Sequence, residues 1–256
     1  MFLAALTVLM TLMAAPAPAV ATHSIALPTA NGPRYGRISY SDTAPLADHE
    51  IALTFDDGPD DENTARVLAV LARHGVKATF FLTGQEVDAD PETVQMIAQA
   101  GHTLGAHSYT HPTNMIDMPS AEAVAEIDRS IAAVRQALAP LPLAQQQQQV
   151  RFFRFPEHKA SESLLAHLKS IGQASVAADY GVDDWLDISG AEILKRALDR
   201  TEERRGGVML LHDWSPGTVS ILDELMTTLE QRGYRFVQLV ELRAAPAEAA
   251  APSETR

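Results

Sequence analysis

The feature that most constrains the fold is a regular alternation of short apolar runs with segments of helical spacing, from residue 51 to residue 239. Seven apolar runs read as strands, and a segment of helical periodicity follows each of the first six. The predicted strands are Ile51–Phe55, Lys77–Thr83, His102–Ala106, Val150–Phe155, Ala174–Ala178, Gly207–Leu211 and Arg235–Leu239. Strands that alternate with helices indicate parallel βαβ units. We therefore expect an α/β fold, a (β/α) barrel with about seven parallel strands.

The segments of helical spacing end at recognisable signals. The predicted helices are Glu62–His74, Pro91–Ala100, Ser120–Leu138, Ser161–Ile171, Ala191–Thr201 and Val219–Arg232. Asp90 is expected to cap the second helix and Ser120 the third, because short polar side chains accept hydrogen bonds from the free N–H groups of a first turn. No G-x-G-x-x-G sequence follows the first strand, which disfavours an open dinucleotide-binding sheet.

The N-terminus has the pattern of a secretory signal. An apolar stretch at residues 2–15 is too short to span a bilayer comfortably, and A-x-A pairs follow it. We expect residues 1–21 to be a signal peptide, the protein to be exported, and the mature chain to have no integral membrane segment. Residues 22–44 are expected to be an irregular lead-in, residues 45–243 one folded domain, and residues 244–256 a disordered tail.

Composition excludes several classes of partner and chemistry. The net charge is −13 at pH 7, whereas nucleic acids and anionic membranes require a basic surface. No nucleic-acid partner is therefore expected. The chain contains no cysteine, which excludes disulfides, thiolate metal ligands and a cysteine nucleophile.

Titratable residues collect where the predicted strands end. In a parallel barrel, functional groups lie at this edge. The residues at or just after five strand ends are Asp56, Asp57, His107, His111, Arg154, Asp179, Asp183, Asp184, His212 and Asp213. Histidines without an acidic or histidine partner at a suggestive spacing are interpreted as surface or loop residues, namely His23, His49, His74, His102 and His167.

Two adjacent aspartates at the first strand end point to a bound cation. Neighbouring carboxylates repel each other unless a positive charge lies close to them. His107 and His111 are four residues apart, so one helical turn would bring both imidazoles to one side. Two histidines with one carboxylate, from Asp57 or Asp56, form a ligand set for catalytic zinc. The remaining aspartate could take a proton from water activated by the cation. Considered alone, the tetrapeptide DDGP is also an ordinary turn sequence.

Five motifs occur in the order found in a known family. They are TFDDGP at 54–59, HSYTHP at 107–112, RFP at 154–156, an Asp-Trp pair at 184–185 and LLHD at 210–213. Over about residues 50–240, the sequence resembles the polysaccharide deacetylase (NodB-like) domain of carbohydrate esterases. The resemblance implies a deformed (β/α) barrel with fewer than eight regular units. It also implies a divalent metal, usually zinc, and hydrolysis of acetyl groups on sugars or amino sugars.

The resemblance assigns the metal ligands and the general base. Asp57 resembles the carboxylate ligand, and His107 and His111 resemble the two histidine ligands. Asp56 resembles the general base, and Arg154 resembles the arginine that orients it. This ligand set also accepts cobalt, nickel or iron, so the sequence does not select one metal.

The resemblance also assigns the general acid and the acetyl pocket. His212 resembles the acid, and Asp184 the carboxylate that pairs with it, although Asp183 could serve instead. A carboxylate beside His212 would raise its pKa and keep it protonated. Leu210 and Trp185 resemble the apolar groups that enclose the acetyl methyl.

One motif departs from the family pattern. After RFP the family commonly has an aromatic residue and a glycine, whereas this chain has Glu157 and His158. Any residue except proline supplies the backbone N–H expected there, so the substitution is compatible with catalysis. The aromatic wall of a substrate groove is changed, and Glu157 is expected to contact a cationic or hydroxyl-rich sugar.

Three functions compete at this point. The first is a metal-dependent deacetylase acting on an acetylated polysaccharide such as peptidoglycan or a chitin-like glycan. The second is a hydrolase of non-sugar C–N bonds on the same fold, and the third is a carbohydrate-binding pseudoenzyme. The third is disfavoured because candidates for the base, the acid, the metal ligands and the orienting arginine are all present.

Overall fold

A computed structural model of the chain describes residues 23–142 and 150–242. The expected signal peptide at residues 1–21 and the expected disordered tail at residues 244–256 lie outside the described residues. Both therefore remain predictions, as do the proposed domain boundaries. Within the described ranges, no helix combines the length and the apolar character needed to cross a membrane.

The described strands form a parallel sheet. They are β1 (His23–Leu27), β2 (Arg34–Tyr35), β3 (Glu50–Asp56), β4 (Thr79–Leu82), β5 (Thr103–Ala106), β6 (Phe152–Phe153), β7 (Ala174–Val176), β8 (Tyr180–Gly181), β9 (Gly207–His212) and β10 (Arg235–Glu241). Their order is β1-β10-β3-β4-β5-β6-β7-β2, and β9 pairs with both β3 and β8. Every pairing is parallel. The predicted α/β class is confirmed, and all seven predicted strands are present; among the described residues the pairings do not close into a ring.

Seven α-helices connect and cover these strands in the described ranges. They are α1 (Asp61–Arg73), α2 (Gly84–Ala89), α3 (Pro91–Gln99), α4 (Ser120–Leu138), α5 (Glu162–Ser170), α6 (Gly190–Arg204) and α7 (Pro216–Gln231). Six correspond to the predicted helices, and α2 is additional. Its six residues are too few to give a clear helical period in the sequence.

Local capping explains where most of these helices begin. The Asp90 side chain accepts a hydrogen bond from the Thr93 N–H at 3.1 Å, which confirms the predicted cap of α3. The predicted cap of α4 is wrong, because Pro119 occupies the cap position and Ser120 is the first helical residue. Pro119 has no side-chain capping group, so the helix start is not fixed by a polar side chain there.

The described part of the expected lead-in, residues 23–44, includes two strands. It contains β1, which pairs with β10, and β2, which pairs with β7. Both strands add to edges that distant parts of the chain provide. A two-residue strand such as β2 carries no periodic signal of its own, so the sequence could not indicate the pairing.

The central strand β3 sets the position of the candidate site. All seven of its residues are buried, as expected for a parallel strand that is covered on both faces. It pairs with β4 and β9, and Asp56 at its end is the register partner of His212 at the end of β9. Two candidate catalytic residues are thus adjacent through strand register alone.

One histidine was misassigned from the sequence. The sequence predicts a surface or loop position for His102, but the residue is only 1% exposed. Its Nδ1 accepts a hydrogen bond from the Ala78 N–H at 3.0 Å, and its ring meets Phe80 edge-on. The imidazole therefore satisfies a buried backbone donor, a role that depends on contacts across the fold.

Candidate active site and metal centre

Candidate catalytic side chains collect at the carboxyl edge of the sheet. Asp56 ends β3 and His212 ends β9, while His107 directly follows β5 and Arg154 directly follows β6. Because the strands are parallel, these residues lie at one edge. The structure describes all ten residues to which the sequence assigns a role in the site, namely Asp56, Asp57, His107, His111, Arg154, Glu157, Asp184, Trp185, Leu210 and His212.

Three of these residues form a possible metal centre. The Oδ1 atom of Asp57 lies 3.3 Å from His107 Nε2 and 3.3 Å from His111 Nε2. One ligand atom from each residue falls within 4.8 Å of the other two. Asp57 Oδ1 is buried and accepts no hydrogen bond, so a cation would satisfy an otherwise unpaired atom. A carboxylate and two imidazoles are the donor set of a catalytic zinc site, and the residues fit such an ion.

The backbone brings these ligands together through left-handed residues. Asp57 has a φ of 75°, Ser108 of 61° and His111 of 54°, a region that few non-glycine residues adopt. The Ser108 Oγ accepts a hydrogen bond from the His111 N–H at 3.1 Å. The expected helical turn between His107 and His111 is therefore wrong, since the segment is an irregular loop. The imidazoles still converge, with ring centroids 4.9 Å apart.

The surroundings of Asp57 and His111 favour the protonation states in which these two residues can bind a metal. Burial acts to raise the pKa of Asp57, but the adjacent imidazole of His107, with the charges of His212 and His111, holds it well below its ordinary value. Burial and the charge of His107 lower the pKa of His111. An ionised carboxylate and a neutral imidazole are the forms that bind a metal.

Asp56 is held by a buried arginine. Arg154 is 0% exposed, and its Nη1 donates to Asp56 Oδ1 at 2.6 Å. The same guanidinium donates to Thr54 Oγ1 at 2.8 Å and to the Val176 carbonyl at 2.8 Å. The other oxygen, Asp56 Oδ2, lies 3.8 Å from His107 Nε2. Arg154 thus fixes one oxygen of Asp56 and leaves the other beside the candidate metal centre.

His212 is paired with Asp184. The His212 Nδ1 lies 2.8 Å from Asp184 Oδ1, and the His212 N–H donates to Asp184 Oδ2 at 2.8 Å. Thr218 Oγ1 donates to the same carboxylate at 2.5 Å. Burial acts to lower the pKa of His212, but the hydrogen bond and charge of Asp184 raise it to about 9. The imidazole is therefore protonated near neutral pH.

The neighbouring Asp183 has different partners. Its carboxylate accepts hydrogen bonds from Arg196 at 2.7 Å and from Arg200 at 2.6 Å. Both arginines lie on α6, so Asp183 ties the loop before that helix to the helix itself. The sequence left open which aspartate meets His212, and the structure places Asp184 there.

A cavity of about 490 Å³ joins these groups. Its lining includes the three residues predicted to contact substrate, which are Leu210, Trp185 and Glu157. Leu210 is 6% exposed, whereas Trp185 is 49% exposed at the rim. The Trp185 ring meets His212 edge-on, with centroids 5.9 Å apart. Trp185 thus places an apolar ring beside His212.

Other residues of the site were missed by sequence reasoning. Trp214 donates from Nε1 to Asp57 Oδ2 at 3.2 Å, and its position two residues after His212 was the available signal. Phe155 and Ile38 line the cavity. Phe155 lies within the RFP motif, but Ile38 belongs to the lead-in, where nothing in the sequence pointed to the site.

The fold and these contacts define a class of protein: an α/β protein with acid, base and metal-ligand candidates at the carboxyl edge of a parallel sheet. The polysaccharide deacetylase family model matches residues 43–176. A peptidoglycan-N-acetylglucosamine deacetylase of Bacillus cereus is 32% identical over 209 residues, covering 79% of this chain and 71% of the relative. A peptidoglycan-N-acetylmuramic acid deacetylase of Bacillus subtilis is 30% identical, covering 75% and 70%.

A solved structure agrees with these sequence relatives. The peptidoglycan deacetylase of Bdellovibrio bacteriovorus superposes with a TM-score of 0.76 at 30% identity. The match covers 88% of this chain and 61% of that one. The chain therefore belongs to the polysaccharide deacetylase family, and the family resemblance inferred from the motifs is confirmed.

Proposed function

We propose that the protein is a metal-dependent deacetylase that hydrolyses N-acetyl groups of an amino sugar in a peptidoglycan-type glycan. The observation that carries the proposal is the convergence of three possible metal ligands with the Asp56 carboxylate and the Asp184-paired imidazole of His212 in one cavity. The names of the two relatives and of the solved structure support the substrate class. A cell-wall substrate would also agree with the expected export of the chain.

Asp57, His107 and His111 would hold the divalent cation. Zinc suits this donor set, and cobalt or nickel would also be accepted. When bound, such a cation polarises a carbonyl oxygen and lowers the pKa of water.

Asp56 is the proposed general base. Its Oδ2 faces the candidate metal centre, while Arg154 engages Oδ1 at 2.6 Å. The hydrogen bond from the guanidinium fixes the orientation of the carboxylate, so that its second oxygen is free to accept a proton. As the oxygen of water bonds to the acetyl carbon, its proton passes to Asp56.

His212 is the proposed general acid. Its Nδ1 is held by Asp184, and its Nε2 lies 3.7 Å from Asp57 Oδ2, so Nε2 faces the candidate metal centre. When the C–N bond breaks, Nε2 gives its proton to the leaving nitrogen. The products are acetate and the free amine of the sugar.

The cavity walls fit the rest of the substrate. Leu210 and Trp185 would enclose the acetyl methyl, because a small apolar group suits an apolar pocket. The backbone N–H of Glu157 would stabilise the developing oxyanion. The Glu157 carboxylate would face sugar hydroxyls or an ammonium group.

Acetate release from a panel of acetylated glycans tests the proposal. The metal-reconstituted protein should release acetate from peptidoglycan or N-acetylglucosamine oligomers, and Asp56→Asn should lower kcat by about 10²- to 10⁴-fold while metal binding persists. Release from non-sugar amides alone would favour the second function. Glycan binding without any acetate release, at every metal tested, would favour the pseudoenzyme.

A further inference from the structure

We propose that Ile38 is a substrate-binding residue, and that the segment of residues 36–43 forms a wall of the glycan site. This inference rests on the proposed function, because it names a further contact for the same substrate. The family match begins at residue 43, so it includes only the last residue of this segment. Ile38 would pack against the apolar C–H face of a sugar ring.

Ile38 exposes an apolar side chain at the cavity. It is 45% exposed, and it lines the cavity that contains His111, His212 and Trp185. The exposed large apolar residues of the described ranges are Ile38, Met96, Ile116, Trp185, Leu186 and Leu242. Of these, only Ile38 and Trp185 line the cavity. Exposed apolar surface beside a catalytic site is typical of ligand contact.

The segment has a compact conformation of its own. The Gly36 N–H donates to the Asp42 carbonyl at 2.9 Å, and the Tyr40 N–H donates to the Gly36 carbonyl at 2.9 Å. Gly36 has a φ of 107°, and a Cβ there would lie 2.3 Å from the Ala177 carbonyl oxygen. Only glycine permits this close approach to the end of β7. The segment is therefore closely fitted to the sheet.

Asp179 fastens the segment to the strand that carries the proposed acid. Its buried carboxylate accepts hydrogen bonds from the Arg37 N–H at 2.9 Å and the Thr43 Oγ1 at 2.8 Å. It also accepts from the Val208 N–H at 2.8 Å, and Val208 lies on β9. Asp179 is thus a positioning residue that fixes the segment relative to the start of β9, the strand that ends at His212.

Two further contacts set the position of Ile38 itself. The Ile38 N–H donates to the Ala178 carbonyl at 3.0 Å. The adjacent Ser39 Oγ donates to the His158 carbonyl at 2.6 Å, next to Glu157. These hydrogen bonds hold the backbone at Ile38 and the side chain of Ser39. The exposed isoleucine is therefore preorganised, which lowers the entropic cost of ordering it when a ligand binds.

The chemistry of the lining indicates an uncharged ring surface as the contact. The described lining contains carboxylates, imidazoles and apolar groups, but no lysine or arginine. The side chains of Ile38 and Trp185 themselves offer no charge to an anionic group, whereas the C–H face of a pyranose ring would pack on both of them. We therefore assign this wall to an uncharged face of the N-acetylhexosamine or of its neighbour in the glycan.

Steady-state kinetics on an N-acetylglucosamine pentamer test the assignment. Ile38→Ala should raise KM about five- to tenfold with kcat nearly unchanged, because the lost contact is present in both bound states. The matched control is Ile116→Ala, which alters an isoleucine with 41% exposure outside the cavity and should behave as the unmodified protein. In an Asp56→Asn background, Ile38→Ala should weaken pentamer binding by the same factor.

The outcomes separate this inference from the proposed function. If the unmodified protein releases no acetate from any glycan, the proposed function fails and the inference fails with it. If the unmodified protein is active but Ile38→Ala matches Ile116→Ala in KM and in pentamer affinity, the inference alone is overturned. Melting temperatures of the variants identify any loss caused by unfolding, and a variant that keeps its melting temperature but loses affinity supports the assignment.

Discussion

At the residue scale, the environment of each aspartate separates its role from that of its neighbour in sequence. Asp56 and Asp57 are adjacent, yet Asp56 meets a buried arginine and Asp57 meets two imidazoles. Asp183 and Asp184 are also adjacent, and only Asp184 meets His212. Carboxylates with different partners can carry out different tasks in one site.

The second pair gives a test at this scale. Asp184→Asn should lower kcat by about 10²-fold or more, because an amide neither stabilises the protonated imidazole nor holds its orientation as a carboxylate does. Asp183→Asn should lower kcat much less, since the Asp183 carboxylate contacts Arg196 and Arg200 rather than His212. Rates for the two variants on one glycan provide the comparison, and equal losses would contradict the assigned pairing.

At the element scale, the loop after β5 depends on a residue of a neighbouring helix. Glu126, on α4, is 7% exposed. Its Oε2 accepts from the Tyr109 N–H at 2.9 Å and from the Thr110 N–H at 2.7 Å, while Oε1 accepts from Thr110 Oγ1 at 3.1 Å. These bonds hold the loop that carries His111, so α4 supports the candidate metal centre without contacting it.

This support predicts a change in metal affinity. Glu126→Gln should weaken Zn²⁺ or Co²⁺ binding by about tenfold, because one of the two accepting oxygens becomes an NH₂ donor and the donors of the loop lose one acceptor. Glu122→Gln changes an exposed residue on the same helix and serves as the control. Competition titrations with a chelator measure both affinities. Identical affinities for the two variants would show that Glu126 does not position the loop.

At the scale of the whole molecule, parallel strand order gathers residues from distant parts of the chain. The strands that end at Asp56 and His212 are adjacent although more than 150 residues separate those positions. The lead-in joins the same sheet through β1 and β2. His102, just before β5, is a buried polar group beside this sheet.

His102 predicts how folding stability depends on pH. Burial, with the charge of Lys77, lowers the pKa of His102 to about 3. Since the unfolded chain binds this proton near pH 6.5, stability is full above that pH and is lost as the pH falls toward 3. The loss between pH 7 and 5 should be about 2 kcal/mol. His102→Asn keeps an acceptor for Ala78 but cannot titrate, so it should lack this component.

Denaturant unfolding at the two pH values measures the effect. The free energy of unfolding should fall further for the unmodified protein than for His102→Asn. Other titrating groups affect both proteins alike, and the difference between them isolates His102. Equal decreases would mean that the buried imidazole does not control the pH dependence.

The sequence by itself determined the alternation of seven strands with helices and the five motifs at the strand ends. Strands buried on both faces read as continuous apolar runs, and helix caps such as Asp90 use neighbouring residues, so both signals are local. Parallel order then places the strand ends at one edge, which is why His107, Asp56 and His212 could be expected together.

Only the tertiary structure decided how those residues meet. The left-handed loop of His111, the choice of Asp184 over Asp183, the burial of His102 and the approach of Ile38 to the cavity all depend on partners far away in the chain. Such contacts leave no periodic or compositional trace in the segment that makes them. The physical reason is that the environment of a side chain depends on the residues that pack against it. Residues adjacent in sequence do not reveal which distant residues those are.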